Sequence, residues 1–256
     1  MDYKECRDFF TRVLLFAKKE RAEISLVGGF LRDLFIFDDF YSNDIDFITT
    51  SNVDKLAKNF ADDFKGEVLL FSQFLTSKVR NLKTFKNVYE VDFARYREER
   101  YLKSGDFPKV KAVSDIKEDL KRRDFTINTL VIPLEDFIKT FDDSIENIDH
   151  MRLRKHVKNY LFALEDIDKK IIRVLHKKSF HDDPTRIFRA FRYKARISGS
   201  FDKETFKLIL EALSSGVLNN ISKNRIKKEI EKIKKERDFE KILNDLEEIG
   251  IKTDIE

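Results

Sequence analysis

An α+β fold is predicted for this chain: a head built on a mixed sheet of about five strands, then an all-helical region. Two observations predict it. Short β-rich runs alternate with helical ones through the first half, and beyond Asp115 the apolar period becomes helical. The 256 residues, 41% of them hydrophobic, provide for one large domain or two smaller ones. The change of period sets the division at residues 1–145 for the head and 146–256 for the helical part.

Residues 3–20 place Phe9, Phe10, Val13, Leu14, Phe16 and Ala17 at helical spacing, which predicts a first helix packed on the sheet. Ile24–Val27 reads as a strand ending at Gly28-Gly29, residues 30–37 as a short helix, and residues 44–48 as a strand after a polar turn. A helix is expected over Val53–Phe64, then β-rich pieces over Glu67–Phe71, 76–82 and 87–93. The polar stretch 95–115, with Gly105 and Pro108, reads as a mobile connection. Helices are expected over 161–176, 184–198, 203–218, 223–235 and 239–249, while 142–158 has no clear period and receives no assignment.

Charge narrows the function classes. The net charge is only +4, but residues 150–196 hold 14 Lys and Arg against 5 Asp and Glu, together with all 4 histidines. A basic stripe beside acidic motifs suits a polyanion brought to carboxylates that hold metal. The single cysteine, Cys6, excludes an internal disulfide, and no Cys/His cluster has zinc-site spacing. No apolar run approaches the roughly 18 residues of a membrane span, so the expectation is a soluble, cytoplasmic protein.

The strongest local signal is Gly28-Gly29-Phe30-Leu31-Arg32-Asp33 followed by Asp44-Ile45-Asp46. Residues two apart on a strand share a face, so Asp44 and Asp46 set two carboxylates side by side, and like charges that close need a cation. Oxygen-only ligation suits Mg2+, with waters and substrate phosphates completing the shell. The glycine pair lets backbone N–H groups approach a triphosphate at a helix start. Neither a P-loop nor a GxGxxG fingerprint is present. Taken singly, these pieces read as a structural turn, a solvated strand edge and a surface Arg32; their order and spacing favour the functional reading.

Two further runs are singled out. Residues 116–128 contain Arg122-Arg123-Asp124-Phe125-Thr126-Ile127-Asn128, locally a basic helix start. Residues 175–193 contain His181-Asp182-Asp183-Pro184-Thr185-Arg186, where Asp183 caps a helix with Pro184 at its first position. Arg186, Arg189 and Arg192 recur every third residue on roughly one face, which calls for anions or acidic side chains between them.

The order of these motifs resembles the polymerase-β-like nucleotidyltransferase superfamily, and within it the class II family of tRNA CCA-adding and A-adding nucleotidyltransferases and bacterial poly(A) polymerases. The similarity runs from Val27 to Tyr193, with a weaker continuation from Arg225. It implies a nucleotidyltransferase head, a helical neck and the start of a body. The expected activity is addition of C and/or A from CTP or ATP to the 3′ end of tRNA, with pyrophosphate released; the wording of the motifs leans to A addition, and poly(A) synthesis is the alternative. By the resemblance, Asp44, Asp46 and Asp92 are catalytic and hold two Mg2+ ions, with Glu90 competing for the third place. Gly28, Gly29, Arg32, Arg123, Asp124 and Asn128 bind the nucleotide; Asp183 and Arg186 read its base, and Arg189 and Arg192 support them.

Family members are usually longer, with a body and tail that grip the tRNA elbow, so a homodimer partner or second subunit is the expected alternative source of those contacts. Residues 141–160 depart from the family's short Gly-containing link. A non-catalytic RNA-binding module of the same fold is the competing class, opposed by the intact Asp44, Asp46, Arg123, Asp183 and Arg186. A small-molecule adenylyltransferase has no use for a base-reading pair on a neck helix.

Overall fold

The structure, a computed structural model, describes residues 2–37, 44–85 and 87–253. The polar turn expected before Asp44 lies outside the described residues. Contacts divide the chain into two compact units that interleave along the sequence. The first comprises Met1–Glu98, Val110–Leu120 and Asn128–Ala163; the second comprises Glu99–Lys109, Lys121–Ile127 and Leu164–Glu256.

The first unit is built on a six-stranded sheet of order β3-β4-β5-β2-β1-β8. Its strands are β1 (Ile24–Val27), β2 (Asp44–Thr49), β3 (Glu67–Phe71), β4 (Thr76–Arg80), β5 (Glu90–Arg95) and β8 (Val131–Pro133). Only β2 and β5 run parallel; the other neighbours are antiparallel, which makes the sheet mixed. The sixth strand, β8, was not expected: three residues ending in Pro133 give too short a run to announce a strand, and a proline is tolerated there because β8 is an edge.

Alternation divides the sheet into two faces. Ile45, Phe47, Val91 and Phe93 are buried on one face, with the Phe47 and Phe93 rings stacked at 5.6 Å. Helices α1 (Tyr3–Glu20), α2 (Gly29–Phe37) and α3 (Val53–Phe64) build an aromatic core with them: Phe10 meets Phe30 at 5.3 Å and Phe47 at 6.3 Å, and Phe60 meets Phe93 at 5.2 Å. Each such ring removes enough apolar surface from water to contribute about 1.5–3 kcal/mol. The helix starts follow the expected capping chemistry, Asp2 accepting the Glu5 N–H at 2.8 Å and Asn52 the Lys55 N–H at 3.0 Å. The opposite face carries the acidic residues of β2 and β5.

The connection 95–115 is structured: β6 (Arg97–Arg100) and β7 (Lys109–Ala112) pair as a two-stranded ribbon, and α4 (Ile116–Lys121) follows. Helix α5 (Leu134–Ile138) leads to a hairpin of β9 (Phe141–Asp142) and β10 (Asn147–Ile148), then to α6 (His150–His156), whose first N–H groups bond to Asp149. These short pieces explain why 142–158 shows no period.

In the second unit the helix expected over 161–176 is only α7 (Ala163–Asp168). Lys170 then takes a left-handed φ of 55°, and β11 (Ile171–Ile172) pairs in parallel with β12 (Ser200–Phe201). An apolar Ile-Ile pair satisfies a strand as well as a helix, so periodicity does not distinguish them. The remaining helices are α8 (Ser179–Asp182), α9 (Thr185–Arg196), α10 (Lys203–Ser214), α11 (Lys223–Ile233) and α12 (Phe239–Glu248). No described helix is long and apolar enough to cross a membrane.

Candidate active site

On the open face of the sheet, register brings the carboxylates together. Asp44 is paired with Glu90 and Asp46 with Asp92 across the parallel β2–β5 ladder, so four acidic side chains share one face of two neighbouring strands. Val27, at the end of β1, stands opposite Asp46. Gly28 follows with φ of +82°, and a Cβ there would lie 2.7 Å from Asp46 Oδ2. Glycine is therefore needed twice over, for the backbone conformation and for the approach of the carboxylate. Gly29 opens α2 directly after this turn.

The sequence did not reveal Lys78. It is paired with Asp92 across β4 and β5, its ammonium bonds to the Glu90 carboxylate, and it lies 3.4 Å from Asp92 Oδ2. On an alternating strand, a lysine reads as an ordinary solvent-facing residue, and only the pairing of β4 beside β5 places it here. Burial pushes the Asp92 carboxyl up to about 7; Lys78 pulls it down, while Asp46 and Glu90 add to the rise. Asp92 Oδ1 is buried with no hydrogen-bond partner. Among the described residues no three His, Cys, Asp or Glu side chains are gathered at metal-binding distances. Even so, a set of acidic oxygens with one lysine among them, and an orphaned buried oxygen, fits a hard cation.

Arg32 is buried, 1% exposed, with Nε 2.7 Å from Asp33 Oδ1 and Nη1 2.7 Å from Asn128 Oδ1. The structure thus brings together Arg32 and Asn128, 96 residues apart, as a brace between α2 and the short 3-10 turn Thr126–Asn128. A cleft of about 600 Å³ in this unit is lined by Lys18, Ser25, Tyr96, Asp115, Glu135 and Tyr160 among others, and includes none of the four acidic residues.

The second unit holds the arginine cluster. Arg186 is buried; its Nη1 donates to Ser179 Oγ at 2.8 Å and its Nη2 to the Arg122 carbonyl at 2.7 Å. Arg189 Nε donates to Asp124 Oδ2 at 2.8 Å, and the same guanidinium reaches Tyr193 Oη at 3.0 Å. Asp124 also accepts the Phe125 N–H through Oδ1, at 2.9 Å. Arg192 lies 5.1 Å from the Tyr193 ring centre. Arg123 is half-buried in the turn after α4. Arg122 pairs with Glu99 at 2.8 Å, and Glu99 also accepts from Tyr101, whose hydroxyl is raised first by burial and then by Glu99. Asp183 Oδ1 accepts the Thr185 N–H at 3.1 Å and the Thr185 hydroxyl at 2.7 Å; α9 begins at Thr185 with Pro184 in the cap position, one residue later than the sequence reading placed its start.

Residues 24–173 match the family of the poly A polymerase head domain. The chain is 35% identical over 222 residues to the A-adding tRNA nucleotidyltransferase of Aquifex aeolicus, spanning 85% of this chain and 24% of that protein. It is 28% identical to the A-adding tRNA nucleotidyltransferase of Halalkalibacterium halodurans, over 92% of this chain and 50% of that one. An apo CCA-adding enzyme superposes with a TM-score of 0.74 at 29% identity, covering 95% of this chain and 52% of its own. A tRNA nucleotidyltransferase bound to a primer tRNA and an incoming ATP analogue superposes with a TM-score of 0.68 at 30% identity, covering 91% and 59%. The chain spans about a quarter to a half of the length of the curated relatives it matches. The mixed sheet, with its acidic face beside the Gly28 turn, is the polymerase-β-like head of these enzymes, and the chain belongs to the poly A polymerase head-domain family.

Proposed function

We propose that this protein is a template-independent RNA nucleotidyltransferase that adds a nucleotide from ATP, or from CTP, to the 3′ end of tRNA and releases pyrophosphate. The observation that carries the reading is the pairing of Asp46 with Asp92 on one sheet face against the Gly28 turn, with Asp92 Oδ1 buried and unpartnered. The relatives named A-adding favour ATP as donor.

Asp44, Asp46 and Asp92 would hold two Mg2+ ions, which supply charge stabilisation to the transferring phosphoryl group and activate the primer hydroxyl. The chain's own groups do the rest. Gly28 and Gly29 admit the triphosphate to the start of α2, and Arg32 with Asn128 fixes that helix against the turn that carries the ribose-binding run. The 3′ hydroxyl would attack the α-phosphorus as the bond to pyrophosphate breaks, and Asp92 would take its proton. Arg123 and Asp124 belong to the nucleotide-binding run. Asp183 Oδ2 accepts no hydrogen bond among the described residues and would take one from the amino group of adenine or cytosine, whereas guanine and uracil present a carbonyl at that edge. Arg186 keeps N–H groups beyond the two it uses on Ser179 and Arg122.

The test is incubation with tRNA ending in CC, or lacking CCA, with each labelled nucleoside triphosphate in turn, with and without Mg2+. Incorporation of AMP onto the CC end alone establishes A addition; incorporation onto the shorter end establishes CCA or CC addition; long A tracts on any RNA establish poly(A) synthesis. No incorporation with any nucleotide leaves the non-catalytic RNA-binding alternative.

A further inference from the structure

We infer that Arg225, on α11, is a positioning residue for nucleotide choice, acting by fixing the orientation of the Asp183 carboxylate; this rests on the base-reading role of Asp183 proposed above. Three donors converge on one oxygen of that carboxylate. Arg225 Nη2 lies 2.9 Å from Asp183 Oδ1, the atom already bonded to the Thr185 N–H and hydroxyl. Both side chains of the ion pair are about three-quarters buried, at 24% and 23% exposure. A carboxylate held by a cap alone can rotate about its last torsion and exchange its oxygens, because that torsion is broad and two-fold. With Arg225 added on the same oxygen, Oδ1 is committed and Oδ2 is left as the acceptor.

The guanidinium is itself fixed from its other side. Arg225 Nη1 donates to the Gly105 carbonyl, and its charge lies 5.5 Å from the Phe107 ring centre. Gly105 has φ of +79°, and a Cβ on it would fall 2.3 Å from the Asn220 carbonyl oxygen, so the turn is seated against the residues that lead into α11. The Gly105 N–H points to the Asp182 carbonyl at 3.4 Å. A planar fork bonds two acceptors in fixed directions, so Arg225 ties the 103–107 turn and Asp183 into one arrangement; a lysine, a single point charge on a flexible stem, would not. The two partners of this pair are 42 residues apart in sequence, and nothing local announces the contact.

The experiment compares ATP with GTP on tRNA ending in CC, as kcat and KM, for the wild type, Arg225→Ala, Arg225→Lys, Asp183→Ala and the double variant Asp183→Ala/Arg225→Ala. Titration of ATP and GTP binding reads the same preference without turnover. Expected is a fall of about tenfold in the ATP-to-GTP ratio for Arg225→Ala, most of it in KM for ATP, a smaller fall for Arg225→Lys, and a double variant no less selective than Asp183→Ala. If Arg225→Ala does not fold, Arg225→Lys keeps the charge and the packing and carries the test alone. A wild-type ratio in both Arg225 variants, with selectivity lost in Asp183→Ala, overturns the positioning role and leaves the base-reading role standing. A wild-type ratio in Asp183→Ala overturns both. Additive losses in the double variant overturn the action of Arg225 through Asp183.

Discussion

The two clusters of charge treat their charge in opposite ways. On the sheet face, Asp92 and Glu90 share one lysine, the Asp92 carboxyl is pushed up to about 7, and a buried oxygen has no partner. In the second unit, Arg186 bonds to a hydroxyl and a carbonyl, Arg189 to Asp124 and Arg225 to Asp183. The first arrangement is a store of uncompensated negative charge that a cation and a phosphate chain can complete. The second is a scaffold whose guanidiniums are held by protein acceptors, Arg189 and Arg225 by carboxylates and Arg186 by neutral oxygens. Chemistry asks for the former, because stabilisation must appear when substrate arrives; selection asks for the latter, because a base edge is read only by groups that do not move. Substitutions should therefore separate activity from stability.

The largest effect is expected on the sheet face. Asp46→Ala should lower nucleotide incorporation by at least about a thousandfold, the several kcal/mol that metal-assisted charge stabilisation supplies, each 1.36 kcal/mol being tenfold. Its urea midpoint without metal should stay level or rise, because a carboxylate that raises Asp92 is gone. Full activity in this variant would remove the catalytic assignment. Arg189→Ala should behave in the reverse sense. It removes the guanidinium that bonds Asp124, whose side chain is 8% exposed, at a cost of about 3 kcal/mol in folding stability read by urea denaturation. Asp124→Leu/Arg189→Met should recover much of that loss. An Arg189→Ala protein as stable as wild type would show that the pair holds nothing in place.

How much of this contrast was legible follows the range of each interaction. The Gly28-Gly29 turn, the Asp44/Asp46 spacing and the helices α1, α3, α9 and α12 are local patterns and could be read in order along the chain. The aromatic core was foreseen only as helical spacing. Lys78 and Arg225 received no role, since a lysine on an alternating strand and an arginine on a charged helix look like solvated residues until β4 lies beside β5 and α11 lies beside the Asp183 turn. Arg32 was read as a nucleotide ligand on its position after the glycines, and the structure seats it in a buried bond to Asn128. The sixth strand and the β11–β12 pair escaped because two or three residues carry no period.

Gly28→Ala sharpens the comparison at the boundary between the two behaviours. The added methyl meets Asp46 Oδ2 at 2.7 Å and sits on a backbone with φ of +82°. The expected stability loss is about 1 kcal/mol, from the left-handed backbone. Activity should fall more than that, roughly tenfold or beyond, because the displaced group is one whose position the chemistry depends on. Equal proportional losses in activity and in folded fraction would mean that the glycine serves the turn alone.

The smallest effect concerns the basic stripe, which the structure divides into two populations. Arg173 is paired with Asp166 and Asp202, Lys194 with Asp245 and Arg196 with Glu236, so these charges are spent within the second unit. Lys169, Lys170, Lys177 and Lys178 are exposed. Phosphate binding should fall to the exposed set, since an arginine already bridging two carboxylates would have to leave them first. Lys177→Gln/Lys178→Gln is then expected to weaken binding of a tRNA acceptor minihelix only severalfold and to lower the slope of log affinity against log salt by about one to two, as counterion release predicts for two lost phosphate contacts. Arg196→Gln should leave the slope unchanged and act on the urea midpoint instead. A slope that responds to Arg196 and not to the lysine pair would show that the ion-paired face, not the exposed one, meets the RNA.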